Sequence, residues 1–509
     1  GLKEITGATW IPYNEMKIYD FESKILERLT GYISDNFNKS LILNYDYLSS
    51  NSTTYQFNPP NINSYPFLRK KIPLTVLGSI SKSDGIGGFN QENFKYKNAI
   101  IHQLGKGFLG FESITTTNGQ NNITKIVNNT LNTVFAENIF QNSIVNNGSF
   151  VVSTTNQAFS LVGLNANKRY WIRKENAESQ DYLTNRNEKN AFTYDAYGNI
   201  TQQIQNINNG YHIKTINTTY GQFGSFIPSK PTQITISNQR IGSAIHNEIN
   251  KKFYNSNGSI IQDINYFGQP NAITTDYTYD AFGNKLIESV SSAGISTRTI
   301  TKTYSANGRF LSSLKNPLNQ TTSFTYDTRW GKLKSITGID GLITQYEFDV
   351  FGELNKVIPP APKNPINISI QFSSTPTNCV YKKTISQVGM PTTISYFDSK
   401  DRIIYQSTEG FNQTITEEKN YDTYGNLIKE KSTNANNTGF ITKDYTYDIY
   451  KRIIQASTTG IGNTTYGYGI STQPYTTITQ PNGVSKTTYF DGFGNKTKIV
   501  ENGLQNVYT

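Results

Sequence analysis

The chain of 509 residues is short of the side chains that build most reactive sites. It has one cysteine, Cys379, so no disulfide can close within it and no Cys-rich zinc site can be assembled. A lone thiol of this kind behaves as a small buried hydrophobe. Its three histidines, His102, His212 and His246, show no metal-ligand spacing. Charged residues make up 17%, well below the usual quarter. No apolar run approaches the roughly 18 residues of a membrane-spanning helix. Nor does the start of the chain read as a secretory signal. Gly1 rather than Met opens the chain and Thr509 closes it in mid-pattern, as expected of a piece of something longer.

Catalytic motifs are missing too. There is no Gly-x-Ser-x-Gly, no His-Glu-x-x-His and no Walker loop. The carboxylate pairs Asp20/Glu22 and Glu417/Glu418 lie in hydrophilic surroundings. Val151-Val152-Ser153-Thr154-Thr155 is a faint echo of an ADP-ribosyltransferase strand without the remaining parts. No enzyme, no cofactor and no metal site is expected, although two carboxylates far apart in sequence could still meet in a glycosidase.

What the chain has is 34 Tyr, 28 Phe and 39 Gly, with abundant Asn and Thr. Aromatic and β-branched residues favour strands, and Asn and Gly favour turns. This excludes a helical bundle and a coiled coil and predicts an all-β chain. The aromatic content also excludes simple disorder. The net charge of +10 invites a nucleic-acid reading. The basic residues are dispersed, however. Their densest groups are Arg69-Lys70-Lys71 and Lys168-Arg169 with Arg173-Lys174, which read as solvated surface.

A repeat supplies the organisation. Tyr194-Asp195-Ala196-Tyr197-Gly198-Asn199 returns as Tyr279-Asp280-Ala281-Phe282-Gly283-Asn284 and as Tyr421-Asp422-Thr423-Tyr424-Gly425-Asn426. It returns again as Phe490-Asp491-Gly492-Phe493-Gly494-Asn495 and as Phe348-Asp349-Val350-Phe351-Gly352-Glu353. Weaker copies start at Tyr220, Tyr254 and Tyr304. Phe397-Asp398 and Tyr447-Asp448 carry Asp401 and Lys451 in place of Gly, and Tyr326-Asp327 reaches Gly331 one residue late. Most steps between copies are 22 to 26 residues. Steps of 49 after Asp349 and 43 after Asp448 each leave room for an eroded copy.

Aromatics two apart, such as Tyr277/Tyr279 and Tyr445/Tyr447, share one face of a strand. The Asp then heads a four-residue turn, where its carboxylate accepts bonds from the following backbone N–H groups. Gly at the fourth position permits the left-handed backbone of a hairpin turn closed by a bulge. Each repeat is thus a β-hairpin of about 20 residues. One hairpin is marginal in water, so the hairpins must pair edge to edge into one long, spiralling antiparallel sheet. A calcium or catalytic role for the repeated Asp is the rival reading, and stacking of sugars on the Tyr stripe is the rival to wall packing. The array is expected over 186–509, after a β-rich segment over 1–185.

These motifs resemble the YD repeats of the Rhs family, which also occur in teneurins and in bacterial wall-associated proteins. The stretch from Asn316-Pro317-Leu318 to Asn355 is especially similar. Residues 94–112 resemble the segment before the repeats in the B component of insecticidal toxin complexes, which carry an SpvB-type N-terminal domain. The matching positions are Phe94, Tyr96, His102, Gly105, Gly107, Phe108, Gly110 and Phe111. Read physically, Gly105-Lys106-Gly107 is a tight turn between strands and His102 a packed strand residue. The resemblance implies a hollow β-cocoon that encapsulates a C-terminal toxic domain of the same or a partner polypeptide. It also implies a secreted or cell-surface bacterial protein that meets a secretion or translocation component. The chain lacks the Asp-Pro signature of the family's self-cleaving core. A cell-surface adhesion or glycan-binding protein is the alternative, and an enzyme hidden in the first 180 residues is the third reading.

Overall fold

The computed structural model describes residues 30–34, 39–48, 53–59, 65–164, 169–223, 227–411, 413–434, 439–471, 473–491, 493–501 and 503–507. The pair Asp20/Glu22, Lys168, Gly224 and Gly492 lie outside them. Every regular element among the described residues is a β-strand, and all 38 belong to one sheet. From the strand Phe89–His102 to the strand Leu504–Val507, each strand pairs antiparallel with the next. The sheet crosses position 185 without a break, because Asn176–Asp181 pairs with Arg186–Ala191.

The first described strands are arranged differently. Tyr32–Ser34 pairs with Ser40–Tyr47, which pairs with Thr75–Ser83, which pairs with the start of Phe89–His102. Two short strands complete that same edge. Tyr55–Gln56 lies parallel to Tyr96–Lys97, and Phe67–Arg69 lies antiparallel to Ile100–His102. The two apolar clusters found among the described residues both sit here. One joins Leu48, Tyr55, Val76 and Ala99, and the other joins Phe67, Ile100 and Ala136. The Tyr55 hydroxyl ties the first together, donating to the Lys70 carbonyl and accepting from the Ala99 N–H.

The repeat array has no comparable core. Among the described residues its buried apolar side chains are Ile207, Cys379, Val380 and Ile404. Most strand positions are half-buried on both faces. The accessible surface is 31644 Å². A compact monomer of 57.2 kDa would expose about 19,000 Å². The chain is therefore an open ribbon held by its ladders, not two sheets pressed around a filled core.

Alternation of antiparallel strands sends successive turns to opposite rims of the ribbon. All the Asp-headed repeat turns fall on one rim, here the Asp rim, because each repeat contributes two strands. Each of the two long steps holds one further turn on this rim. These turns are Ser373–Val380, between Ile366–Phe372 and Tyr381–Gln387, and Ser471–Gln473, between Gly462–Ile470 and Pro474–Thr479. Neither is headed by Asp.

The ribbon then winds back onto itself. The turn after the fifth strand touches the turn after the twenty-eighth, where Arg402 Nη2 donates to the Asp84 carbonyl over 2.9 Å. The turn after the ninth strand touches the turn after the thirty-second, through Asn147 and Tyr450. The turn after the fifteenth touches the turn after the thirty-sixth, through Arg240 and Asp491. One revolution thus takes 21 to 23 strands, and it docks the far rim of the first row on the Asp rim of the second.

Candidate functional site: the turn rim and the seam

The repeat turns share one hydrogen-bond pattern. In the turn at Asp280, the Asp280 N–H bonds the Asn284 carbonyl (3.0 Å) and the Gly283 N–H bonds the Asp280 carbonyl (3.1 Å). Asp280 Oδ1 accepts from the Phe282 and Asn284 N–H groups, and Oδ2 from Asn284 Nδ2. Asp195 and Asp491 repeat the whole set, with Gly198 and Gly494. Asp422 bonds Asn426 in the same way, next to Gly425. Asp349 accepts from the Phe351 and Glu353 N–H groups. A one-residue register shift precedes the turn in each case, for example at Thr278/Tyr279 and Glu347/Phe348. The glycines hold φ near +85°, which costs a residue with a β-carbon roughly 1–2 kcal/mol.

Two copies without Gly compensate with a cation. Asp401 and Lys451 sit at φ +60° and +65°. In these copies Arg402 and Arg452 replace Asn, and each Nε donates to the Asp398 or Asp448 Oδ2 over 2.7 Å. The same arginines lie over Tyr421 (4.2 Å) and Tyr468 (4.3 Å) of the next hairpin. Sequence reasoning missed this role, although Arg four residues after Asp in both Gly-less copies was a visible signal. It also missed Asp84, which caps its own turn by accepting from Ile86 and Gly88. Asp327 differs: its carbonyl accepts from the Gly331 N–H, and its carboxylate pairs with Arg329.

The repeat aromatics join one hairpin to the one before. Ladders between hairpins stop short of the Asp rim; that between Ile260–Asn265 and Ile273–Tyr279 ends at Gln262↔Asp276. The Tyr279 hydroxyl spans the opening and donates to the Ile260 carbonyl over 2.6 Å. Tyr194, Tyr220, Tyr254, Tyr421 and Tyr447 make the same kind of bond to Lys174, Ile200, Pro231, Ile403 and Leu427. Burial pushes the Tyr279 and Tyr447 phenols up from their ordinary value. Other copies stack instead: Tyr326 lies 4.8 Å from Phe310, and Lys332 sits 5.5 Å from the Phe348 ring. Phe490 closes its hairpin opposite Lys496.

Aromatic side chains also pack on neighbouring glycines. Phe282 covers Gly308, Trp171 covers Gly198 and Trp330 covers Gly352, each so closely that a β-carbon would approach within 3 Å. Asn284 Nδ2 also donates to the Gly308 carbonyl. Gly283 has nothing within 4 Å of the same position.

The seam buries side chains more deeply than the open turns, whose Asp195, Asp280, Asp327 and Asp349 are half-buried. Asp84 and Asp398 are fully buried and Asp491 nearly so. Arg402 lies between the first two, bonded to both segments. His212 meets the Phe493 ring edge-on at 4.5 Å. Between these contacts the seam opens into a cleft of about 560 Å³, lined by Asn121, Asn122, Asp422, Tyr424, Tyr445 and Lys451 among others.

The remaining sequence candidates stay apart. His102 is buried beside Phe67 (6.0 Å), and neither ring nitrogen has a partner. Cys379 is buried, its thiol faces the Tyr381 carbonyl, and burial pushes its pKa up. Glu417 pairs with Lys419. Gly105-Lys106-Gly107 joins the strands Phe89–His102 and Gly107–Asn118, and Val151–Thr155 lies within the strand Phe150–Leu164. Among the described residues no group of three His, Cys, Asp or Glu is placed to hold a metal, and no helix is long and apolar enough to cross a membrane.

No family model matches the chain, and no curated protein does. Solved structures do. The chain is similar to TcdB2-TccC3 without its hypervariable C-terminal region, with a TM-score of 0.69 at 10% identity over 92% of this chain. TcdB2-TccC3-TEV gives 0.68 at 9% identity over 92%, and TcdB2-TccC3 gives 0.63 at 10% over 94%. The chain spans 36% to 37% of the length of these proteins. Its fold is that of the TcdB2-TccC3 toxin-complex structures: all-β, one long antiparallel sheet.

Proposed function

We propose that this chain is a stretch of hollow wall from a secreted bacterial toxin complex, enclosing a C-terminal toxic cargo of the same or a partner polypeptide. The observation that carries this reading is a ribbon without a core across 186–509 that returns to itself after 21 to 23 strands. At about 4.8 Å per strand, 23 strands give a circumference of about 110 Å and a diameter of about 35 Å. Side chains on the inner face leave about 25 Å. That width admits an extended or partly folded chain and is tight for a folded domain of about 100 residues. The fold it shares with TcdB2-TccC3, a protein with a hypervariable C-terminal region, supports the same reading.

The wall itself is read as structural, without catalysis of its own. The glycan-binding alternative loses support because the stripe hydroxyls bond neighbouring carbonyls and are not free to meet a ligand. Small-angle scattering of the full chain tests the enclosure: a hollow profile is expected, and a filled, compact profile would refute it. Fusing a protease-sensitive segment after Thr509 tests the cargo role. Cleavage should be much slower than for the free segment, and equal rates would remove that part of the reading.

A further inference from the structure

Along the seam, the far-rim turns 84–88, 119–122 and 147–150 of the first row face, in order, the Asp-rim turns 398–402, 422–426 and 448–452 of the second. The pairs on either side are closed by direct bonds, Arg402 to the Asp84 carbonyl and Asn147 to the Tyr450 hydroxyl. The middle pair is not closed. Among the described residues no hydrogen bond or ion pair joins 119–122 to 422–426. The cleft of about 560 Å³ lies there, within the roughly 300–1,000 Å³ usual for small-molecule sites. Both of its walls are rows already in place, so the gap belongs to the seam and not to an end of the ribbon.

The first-row wall is a turn tied from within. Asn118 Oδ1 accepts from the Gln120 and Asn121 N–H groups, and the Asn118 carbonyl accepts from the Asn122 N–H. This holds the Asn121 and Asn122 side chains at the cleft. Asn121 uses its Oδ1 on the Ile123 N–H and leaves its Nδ2 hydrogens unused. The Asn122 amide bonds nothing in the chain. On the second-row wall Tyr424 is half-buried, and its hydroxyl has no partner in the chain. It is a turn-tip residue, unlike Tyr445 and Tyr447 of the stripe, whose hydroxyls bond Glu430 and the Leu427 carbonyl. Asp422 Oδ1 accepts only the Asn426 N–H, where Asp195, Asp280 and Asp491 each accept two backbone bonds.

We propose that this cleft binds a short neutral oligosaccharide. The lining selects the class. The Asp422 and Asp448 carboxylates repel an anion, and the Lys451 ammonium repels a cation. An apolar ligand would strip water from the two amides without replacing its bonds. A sugar meets each group present. Its hydroxyls donate to Asp422 and both donate to and accept from the asparagine amides, while its C–H face covers the Tyr424 ring. A sugar held here touches both rows, so it supplies the cross-seam link that the middle pair lacks. The site does not depend on what the lumen holds.

Saturation-transfer NMR of the full chain with lactose, maltotriose, cellotriose and tri-N-acetylchitotriose tests it. At least one should bind saturably and slow hydrogen exchange at 119–122 and 422–426 together. Tyr424→Ala should weaken that sugar at least about tenfold, and so, from the other wall, should Asn121→Ala with Asn122→Gly. Glycine accepts the φ of +56° at position 122. Tyr197→Ala, at the same turn position away from the seam, should leave binding as it is. Unchanged melting of each variant separates a lost site from a lost fold, and the two walls give independent variants. The uronic-acid counterpart of the bound sugar should bind more weakly. No saturable binding by any of the four overturns the proposal. So does binding that survives the changes on both walls, which would place the sugar elsewhere, or a uronic acid held as tightly as its neutral parent.

Discussion

The indole of Trp330 lies flat enough against the backbone of Gly352 that a β-carbon there would come within 2.9 Å of its ring. Gly352 is therefore required twice, once for its φ of +82° and once for the neighbour that covers it. Gly283 has the same backbone need at φ +86° and open space around it. Gly283→Ala should cost about 1–2 kcal/mol, and Gly352→Ala at least about 1 kcal/mol more, since the ring must move. Chemical denaturation of both variants checks the difference. Equal losses would mean that the indole contact is incidental.

Lys451 offers the reverse experiment. It holds φ +65° at the position where most copies have Gly. Lys451→Gly should stabilise by up to about 1 kcal/mol, the left-handed cost relieved, less whatever the 3.3 Å bond from its ammonium to the Tyr424 carbonyl contributes. A shift of the unfolding midpoint upward is the expected result, and a clear loss would place the main role of Lys451 in that contact.

The stripe hydroxyls can be removed without touching the stripe. Tyr279→Phe and Tyr447→Phe keep the rings and leave the Ile260 and Leu427 carbonyls without a donor. Each should cost about 1 kcal/mol. Hydrogen exchange should rise near the Asp rim, where the ladder between hairpins is already missing, and stay unchanged at the far rim. Exchange that rises evenly along both strands would contradict the bridging role.

Arg402 is the strongest point of the seam. Arg402→Ala leaves the buried Asp398 carboxylate without its ion pair and frees the Asp84 carbonyl. Breaking a buried pair in this way costs about 3–5 kcal/mol. The expected signature is faster exchange at 84–88 and at 398–402 together, although 318 residues separate Asp84 from Arg402. Loss of protection at 398–402 alone would show that the turn, and not the seam, depends on the arginine.

Acid should open these rim turns only below the ordinary carboxyl range. The Arg329 hydrogen bond, the backbone bond and the nearby charge hold the Asp327 carboxyl down at about 2. The Asn284 side chain and backbone N–H groups hold Asp280 below its ordinary value. Both carboxyls are lowered by folding, so their contribution is present above the unfolded value near 3.8 and is lost as pH falls through the folded value. Carboxyl chemical shifts followed down to about pH 2 should show both groups ionised below pH 3.8, with Asp327 only half protonated near the end of the series. Titration of either at its unperturbed value would remove the bonds as the cause.

Sequence and tertiary structure contributed different things. The all-β class, the hairpin unit and its antiparallel accretion rest on contacts made within some twenty residues, and local chemistry writes those into composition and period. Asp with Gly three residues later is such a signal, and so is the spacing of Tyr277 and Tyr279. Arg402 and Arg452 were legible in principle, since each stands where its copy lacks both Gly and Asn. The Asp84 turn was not legible, because it lies outside the periodic stretch. Nor was the pairing of Arg402 with the Asp84 carbonyl, of His212 with Phe493, or of Asn147 with Tyr450. Each joins hairpins a full revolution apart. The partners are chosen by how far each strand twists and bends from the last, a small angle summed over 21 to 23 strands. No single residue encodes that sum. Local chemistry suffices for a ribbon of hairpins with two rims, whereas which rim turns meet follows from the twist accumulated over a whole revolution.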